Sequence, residues 1–120
     1  MMLDYVTKLA SDLHYKLFGE LPRNCTNRAY RFLEEAIELC QSLDVPKDEV
    51  YHLVASVYSK PVGKPYQELG GVMVTLPILA SSMGYFLTDA FMDEYVRCNA
   101  PNVFCEIQRK GMDKNGLSRS

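Results

Sequence analysis

The chain has 120 residues, a formal net charge of −2, and 48% hydrophobic against 23% charged residues. That length suits a single domain, and that balance excludes a disordered chain. A near-neutral charge gives no general attraction to nucleic acid phosphates or anionic membranes, so neither is expected as a partner. No apolar run reaches the ~18 to 20 residues of a membrane span. Asp4 and Lys8 stand where a signal peptide would carry a cationic stub and a long apolar core, so the expectation is a cytoplasmic protein. Cys25, Cys40, Cys98 and Cys105 form no CxxC pair, which argues against a zinc or redox motif and for free thiols.

Leu3, Val6, Leu9, Ala10, Leu13 and Leu17 recur at helical spacing and predict a first helix over Met2 to Phe18, ended by Gly19. Glu20 to Asn27 reads as a loop, with Thr26 or Asn27 as N-cap of a second helix from about Arg28 to Ser42. Asp44-Val45-Pro46 punctuates the chain, with the proline in the first turn of a third helix that runs to about Ser59 and buries Val50, Leu53, Val54 and Val57. Two prolines and a glycine within Lys60 to Pro65 exclude regular structure there.

The segment from Tyr66 to about Gly84 is apolar around its whole circumference, which predicts a helix buried on all sides and kinked by Pro77 near Met73. Gly70 and Gly71 lie inside it, a cost that a close approach by backbone or ligand would explain. A fifth helix, capped by Thr88, has Ala90, Phe91, Tyr95 and Val96 inward. Asn99-Ala100-Pro101 interrupts it, and a short continuation ends at Gly111. The expected architecture is all-α, an antiparallel bundle of four to five main helices over residues 1–111, with residues 112–120 a polar, mobile tail.

The chemistry concentrates in Arg31 to Cys40. At about 100° per residue, Glu34 and Glu38 lie ~40° apart and Glu35 ~60° from Glu38, so three carboxylates share one side of the second helix. Such crowding costs a few tenths of a kcal/mol per like-charged pair. A hard divalent cation relieves it. Glu35 and Glu38 from the second helix and Glu68 from the fourth supply the oxygen donors that Mg²⁺ or Mn²⁺ takes, with Glu34 able to serve a second ion or orient water. A metal so held polarises a phosphoryl oxygen and ionises a water, cutting a phosphoanhydride with no Ser, Cys or His nucleophile. Arg28, Arg31, Lys64 and Arg97 are the cations available to phosphate oxygens.

Bland readings stand beside this one. Taken alone, Glu34, Glu35 and Glu38 describe a solvated helix face with Arg31 paired to Glu34 or Glu35, and Glu68 an acid favoured near a helix N-terminus. Glu49 and His52 have the ExxH spacing of a di-iron bundle, but that site needs two such motifs and Ser11 stands three residues before His14.

Two segments change the weighing. Arg31-Phe32-Leu33-Glu34-Glu35-Ala36-Ile37-Glu38, followed by Pro61-Val62-Gly63-Lys64-Pro65, Gln67-Glu68 and Gly70-Gly71-Val72-Met73-Val74-Thr75-Leu76, resembles the EExxE…ExxD pattern of the MazG-like all-α nucleoside triphosphate pyrophosphohydrolases, in particular a short phage- and prophage-type branch. The resemblance implies a helical bundle completed as a homodimer or homotetramer, binding of Mg²⁺ or Mn²⁺, and hydrolysis of an NTP or dNTP to the monophosphate and pyrophosphate in nucleotide-pool cleansing. It implies catalytic roles for Glu34, Glu35 and Glu38, and metal ligation by Glu35, Glu38 and Glu68. Gly71 stands where the superfamily has the second acid of ExxD; Asp93, Glu94 or a water could fill that gap, and Glu94, whose position resembles an acid of the branch, is the preferred replacement ligand. Arg31, Lys64 and Arg97 are the expected substrate contacts. The competing functional class is a catalytically weak or inactive nucleotide- or metal-binding regulatory module, and the third is an all-α interaction protein with no ligand.

Overall fold

The computed structural model describes residues 1–20 and 25–114, with side-chain surroundings for all of these but residues 112–114. It is all-α, with six helices and no strand among the described residues: α1 (Met2–Phe18), α2 (Thr26–Ser42), α3 (Lys47–Tyr58), α4 (Pro65–Ser82), α5 (Leu87–Asn99) and α6 (Pro101–Lys114). Two compact units divide the chain. One comprises Met1–Asn24 with Thr75–Ser120, and the other Cys25–Val74.

The expected helices form, with several local differences. α1 has the predicted span and stops where Gly19 takes φ +85°. α2 begins at Thr26 with Cys25 in the capping position, and α5 at Leu87 with Phe86 there, so neither Thr26, Asn27 nor Thr88 is the N-cap. Pro46 precedes α3 as its N-cap, at φ −65° and ψ 147°, rather than entering its first turn. α4 runs through Pro77 as one helix, as expected. The greatest change is at the C-terminal end, where the expected short continuation is the 14-residue α6, a sixth main helix that passes through Gly111. The physical reason is a close approach: a Cβ on Gly111 would overlap the Phe18 ring, so only glycine lets α6 run on while packed against α1. Of the predicted tail, residues 115–120 lie outside the described residues, as do residues 21–24 of the predicted loop.

Two helix ends share one device. After α4, Gly84 adopts φ +77°, its N–H donates to Ser81 and that of Tyr85 to Ala80. After α2, Asp44 takes φ +63°, its N–H donates to Gln41 and that of Val45 to Cys40. Both are left-handed caps that satisfy the last carbonyls of the helix, the second using an aspartate where glycine is the commoner choice.

The unit formed by Met1–Asn24 and Thr75–Ser120 holds the core. α1, α5 and α6 pack on one another, and Leu17, Ala80 and Gly111 are buried. Gln108 Nε2 donates to the Leu17 carbonyl at 3.0 Å, which ties α6 to the orphan carbonyls at the end of α1. His14 meets Phe18 edge to face with centroids 5.3 Å apart, and Phe91 stacks on Tyr95 at 5.9 Å.

The other unit, Cys25–Val74, contains no buried residue. This corrects two expectations. On α3, Val50 is half-buried, but Leu53, Val54 and Val57 are 50 to 62% exposed. On α4, Ala80 alone is buried, while Leu69, Val74 and Ile78 each expose about 60%. A Cβ built at Gly70 or Gly71 meets nothing within 4 Å among the described residues of its own unit, so the close approach expected there is not made within it. The apolar pattern is as predicted, but within this unit it leads to no fully buried residue.

Candidate functional site

The acids of interest belong mostly to one unit. Glu34, Glu35 and Glu38 stand on α2 and Glu68 in the first turn of α4. Helix geometry accounts for α2: the charged side chains fall within one arc, and Phe32, Leu33, Ala36 and Ile37 fall outside it.

Arg31 organises the start of this arc. Its Nη1 donates to Glu34 Oε2 at 2.6 Å, and its Nη2 stands 3.7 Å from Glu35 Oε1. The surface pairing anticipated in the bland reading is therefore present. It fixes Glu34, whose side chain is 43% exposed, far more than Glu35, which is 69% exposed. The side chain of Glu38 makes no hydrogen bond or ion pair with any described residue.

Arg28, one turn before Arg31, has its Nε and Nη2 out of contact with solvent and without a hydrogen-bond partner among the described residues. Burial, and then the neighbouring Arg31, push its guanidinium below the ordinary arginine value. The two cations thus sit side by side, and only Arg31 is tied to the acids.

Glu68 is directed to the connector. Its carboxylate lies against Gly63 so closely that a Cβ there would overlap Oε1. Lys64, the neighbouring cation, is exposed. The glycine of the Pro61-Val62-Gly63-Lys64-Pro65 stretch thus makes room for this glutamate, a role the sequence had not assigned to it.

Glu94 and Arg97, expected as a metal ligand and a substrate contact, pair with each other. Arg97 Nε and Nη2 donate to the two carboxylate oxygens at 2.8 and 2.7 Å, a bidentate fork across one turn of α5. Those hydrogen bonds hold the Glu94 carboxyl below its ordinary value, and the Cys98 thiol, 3.6 Å away, adds to the effect. Both residues belong to the unit with Met1–Asn24 and Thr75–Ser120, not to the unit of the other four acids.

Among the described residues, no three His, Cys, Asp or Glu side chains are grouped so as to hold a metal ion. Glu35, Glu38 and Glu68 have the donor chemistry for a hard divalent cation and occupy two helices of one unit, but they are not drawn to one point.

Two concavities lie outside this set. One, of about 520 Å³, is lined by Ile37 and Gln41 of α2, Val45, and Lys47, Val50 and Tyr51 of α3. Lys47 Nζ sits 5.6 Å from the Tyr51 ring centroid, a cation–π pair at its edge. No periodicity in the sequence marks this groove, because it depends on how α3 leaves the turn at Asp44. The other, about 340 Å³, is bounded by Gly84, Tyr85, Phe86, Asp89, Ala90 and Asp93. It places two carboxylates one helical turn apart beside two exposed aromatic rings.

No single described helix is long and apolar enough to cross a membrane, although α4 and α5 pass together, as a bent pair, on length and composition alone. No protein family model, curated protein or solved structure matches the chain.

Proposed function

We propose that the chain is a metal-dependent nucleoside triphosphate pyrophosphohydrolase of MazG-like type. It takes an NTP or dNTP to the monophosphate and pyrophosphate with Mg²⁺ or Mn²⁺, in the cytoplasm, as a helical bundle completed by association into a homodimer or homotetramer. Its role is to cleanse the nucleotide pool. The observation that carries the reading is the set of carboxylates at Glu34, Glu35, Glu38 and Glu68, borne by two helices of one unit, with the side chains of Glu38 and Glu68 engaged by no cation among the described residues. The resemblance of Arg31–Glu38 and Pro61–Leu76 to that superfamily supports it.

Glu35, Glu38 and Glu68 would hold the metal, and the proposal requires them to converge when it loads. A bound divalent cation supplies polarisation of a phosphoryl oxygen and a water of lowered pKa. Glu34, already oriented by Arg31, positions that water. Lys64 and Arg31 offer cations to the phosphate chain, Arg31 after loosening its long contact with Glu35. Glu94, expected as a further ligand, has both carboxylate oxygens held by Arg97.

The bidentate grip of Arg97 on Glu94, together with Gly71 where an acid is expected, favours one second reading: a nucleotide- or metal-binding regulatory module without turnover. Pyrophosphate release from a panel of NTPs and dNTPs with Mg²⁺ or Mn²⁺ separates the two. The hydrolase reading predicts turnover that Glu38→Ala lowers by at least about a hundredfold, as expected for loss of a metal ligand. Nucleotide binding without release above that variant supports the regulatory module and overturns the enzyme.

A further inference from the structure

Gly63 is a glycine whose backbone does not ask for one. Among the described glycines only Gly19 and Gly84 take a positive φ, so residue 63 stays out of the left-handed region where glycine is favoured. What occupies the place of the missing side chain is Glu68. A Cβ at position 63 would stand 3.0 Å from Glu68 Cδ and 3.2 Å from its Cγ, and would overlap Oε1 outright. Carbon atoms pack at about 3.5 to 4.0 Å. Turning the terminal carboxylate alone therefore does not clear the overlap, and Glu68 would have to change rotamer.

The helix register explains the contact. α4 opens at Pro65, and the Glu68 N–H donates to the Lys64 carbonyl at 2.9 Å, so Lys64 stands in the N-cap position. Gly63 then precedes the cap and Glu68 is the fourth helical residue, the two positions whose side chains meet across a helix start. Helical side chains lean toward the N-terminus, which carries Glu68 back over the connector, where the positive end of the helix favours its charge. No hydrogen bond or ion pair with a described residue fixes the carboxylate there. Shape and the field of the helix make the seat, and the shape depends on Gly63.

Glu68 on this seat is not brought together with Glu35 and Glu38, since no three acids among the described residues are grouped so as to hold a metal ion. Gly63 and all three glutamates belong to Cys25–Val74, so the separation is internal to that unit. We propose, resting on the reading of these glutamates as metal ligands, that Gly63 is a positioning residue: it keeps open a seat that stores Glu68 apart from Glu35 and Glu38 and so sets how tightly the site takes a divalent cation. The ligating form of Glu68 is drawn from its other rotamers, because the seated one does not converge with the α2 acids. Apparent affinity is the intrinsic affinity multiplied by the fraction of molecules in the competent form. A seat that holds about two thirds to nine tenths of the molecules lowers the affinity about three- to tenfold, and closing it restores that factor. A methyl at position 63 that merely disturbed the start of α4 would weaken binding, so the sign of the change separates positioning from damage.

The test is calorimetric titration of the full chain with Mn²⁺ in nucleotide-free buffer, for the wild type, Gly63→Ala, Glu68→Ala and the double variant, with circular dichroism on each. Gly63→Ala is expected to bind Mn²⁺ about three- to tenfold tighter. The gain vanishes in the Glu68→Ala background, because the two residues act through one contact. Val62→Ala, on the same connector, binds as the wild type does. In the wild type without metal, NMR shows a nuclear Overhauser contact between the Gly63 α-protons and the Glu68 γ-protons, and saturating Mg²⁺ removes it. If Glu68→Ala weakens binding while Gly63→Ala binds no tighter, or if the gain survives in the double variant, the seat is overturned and the metal site stands. Binding indifferent to Glu68→Ala overturns both. Absence of the Overhauser contact before metal is added, or its persistence at saturation, overturns the seat whatever the variants do.

Discussion

The two units of this chain follow the same sequence rules to different ends. Around α1, α5 and α6, helices with an apolar stripe meet each other, and Leu17, Ala80 and Gly111 are buried. In Cys25–Val74, α2 and α3 carry stripes of the same kind, yet no residue of the unit is fully buried. Periodicity therefore says which face of a helix seeks cover but not what supplies it. The contrast also sorts the candidate residues: Glu34, Glu35, Glu38 and Glu68 lie in the coreless unit, Glu94 and Arg97 in the packed one.

The strongest way to break that contrast is to damage the packed unit. Leu17→Ala removes the buried leucine of α1 and is expected to cost about 2 to 5 kcal/mol in urea unfolding. Gly111→Ala sets a methyl against the Phe18 ring and is expected to cost about 1 to 3 kcal/mol. If either substitution is silent, the packing described for α1 and α6 is not the one in solution.

A smaller effect sharpens the assignment of Glu94. Arg97 holds its carboxyl below the ordinary value, so the pair stabilises the fold above the ordinary carboxylate range, and that contribution is lost as pH falls through the depressed value. Both side chains are more than half exposed, so solvent screening limits the pair to about 0.2 to 1 kcal/mol. Arg97→Ala should therefore remove a slight acid-side loss of stability and leave neutral stability within that range. A Glu94 carboxyl that titrates identically in both proteins, followed by NMR, would show that the fork does not persist in solution.

Much of the fold was legible in the residues. The spacing of Leu3 to Leu17 marks α1 to the residue, because Gly19 leaves no choice about its end. Asp44 and Pro46 mark the turn between α2 and α3. What escaped depends on contacts distant in sequence. Gly111 read as a helix stop because glycine ends helices more often than it continues them, and only the Phe18 ring explains the opposite outcome.

Burial escaped for a related reason. An apolar circumference on α4 predicts cover without naming its source: Ala80 is buried, Val72, Leu76 and Leu79 are half-buried, and the rest stay exposed. At the site, the crowding of three glutamates on α2 and their pairing with Arg31 follow from helix geometry. The seat of Glu68 against Gly63 and the Glu94–Arg97 fork needed coordinates, since side-chain choice among several nearby partners is not set by spacing.

The central functional claim is that Glu35, Glu38 and Glu68 form one metal site, and calorimetric titration with Mn²⁺ tests it most directly. The account predicts saturable binding to the wild-type chain that Glu38→Ala and Glu68→Ala each weaken at least about tenfold. Binding unchanged by both substitutions would contradict it.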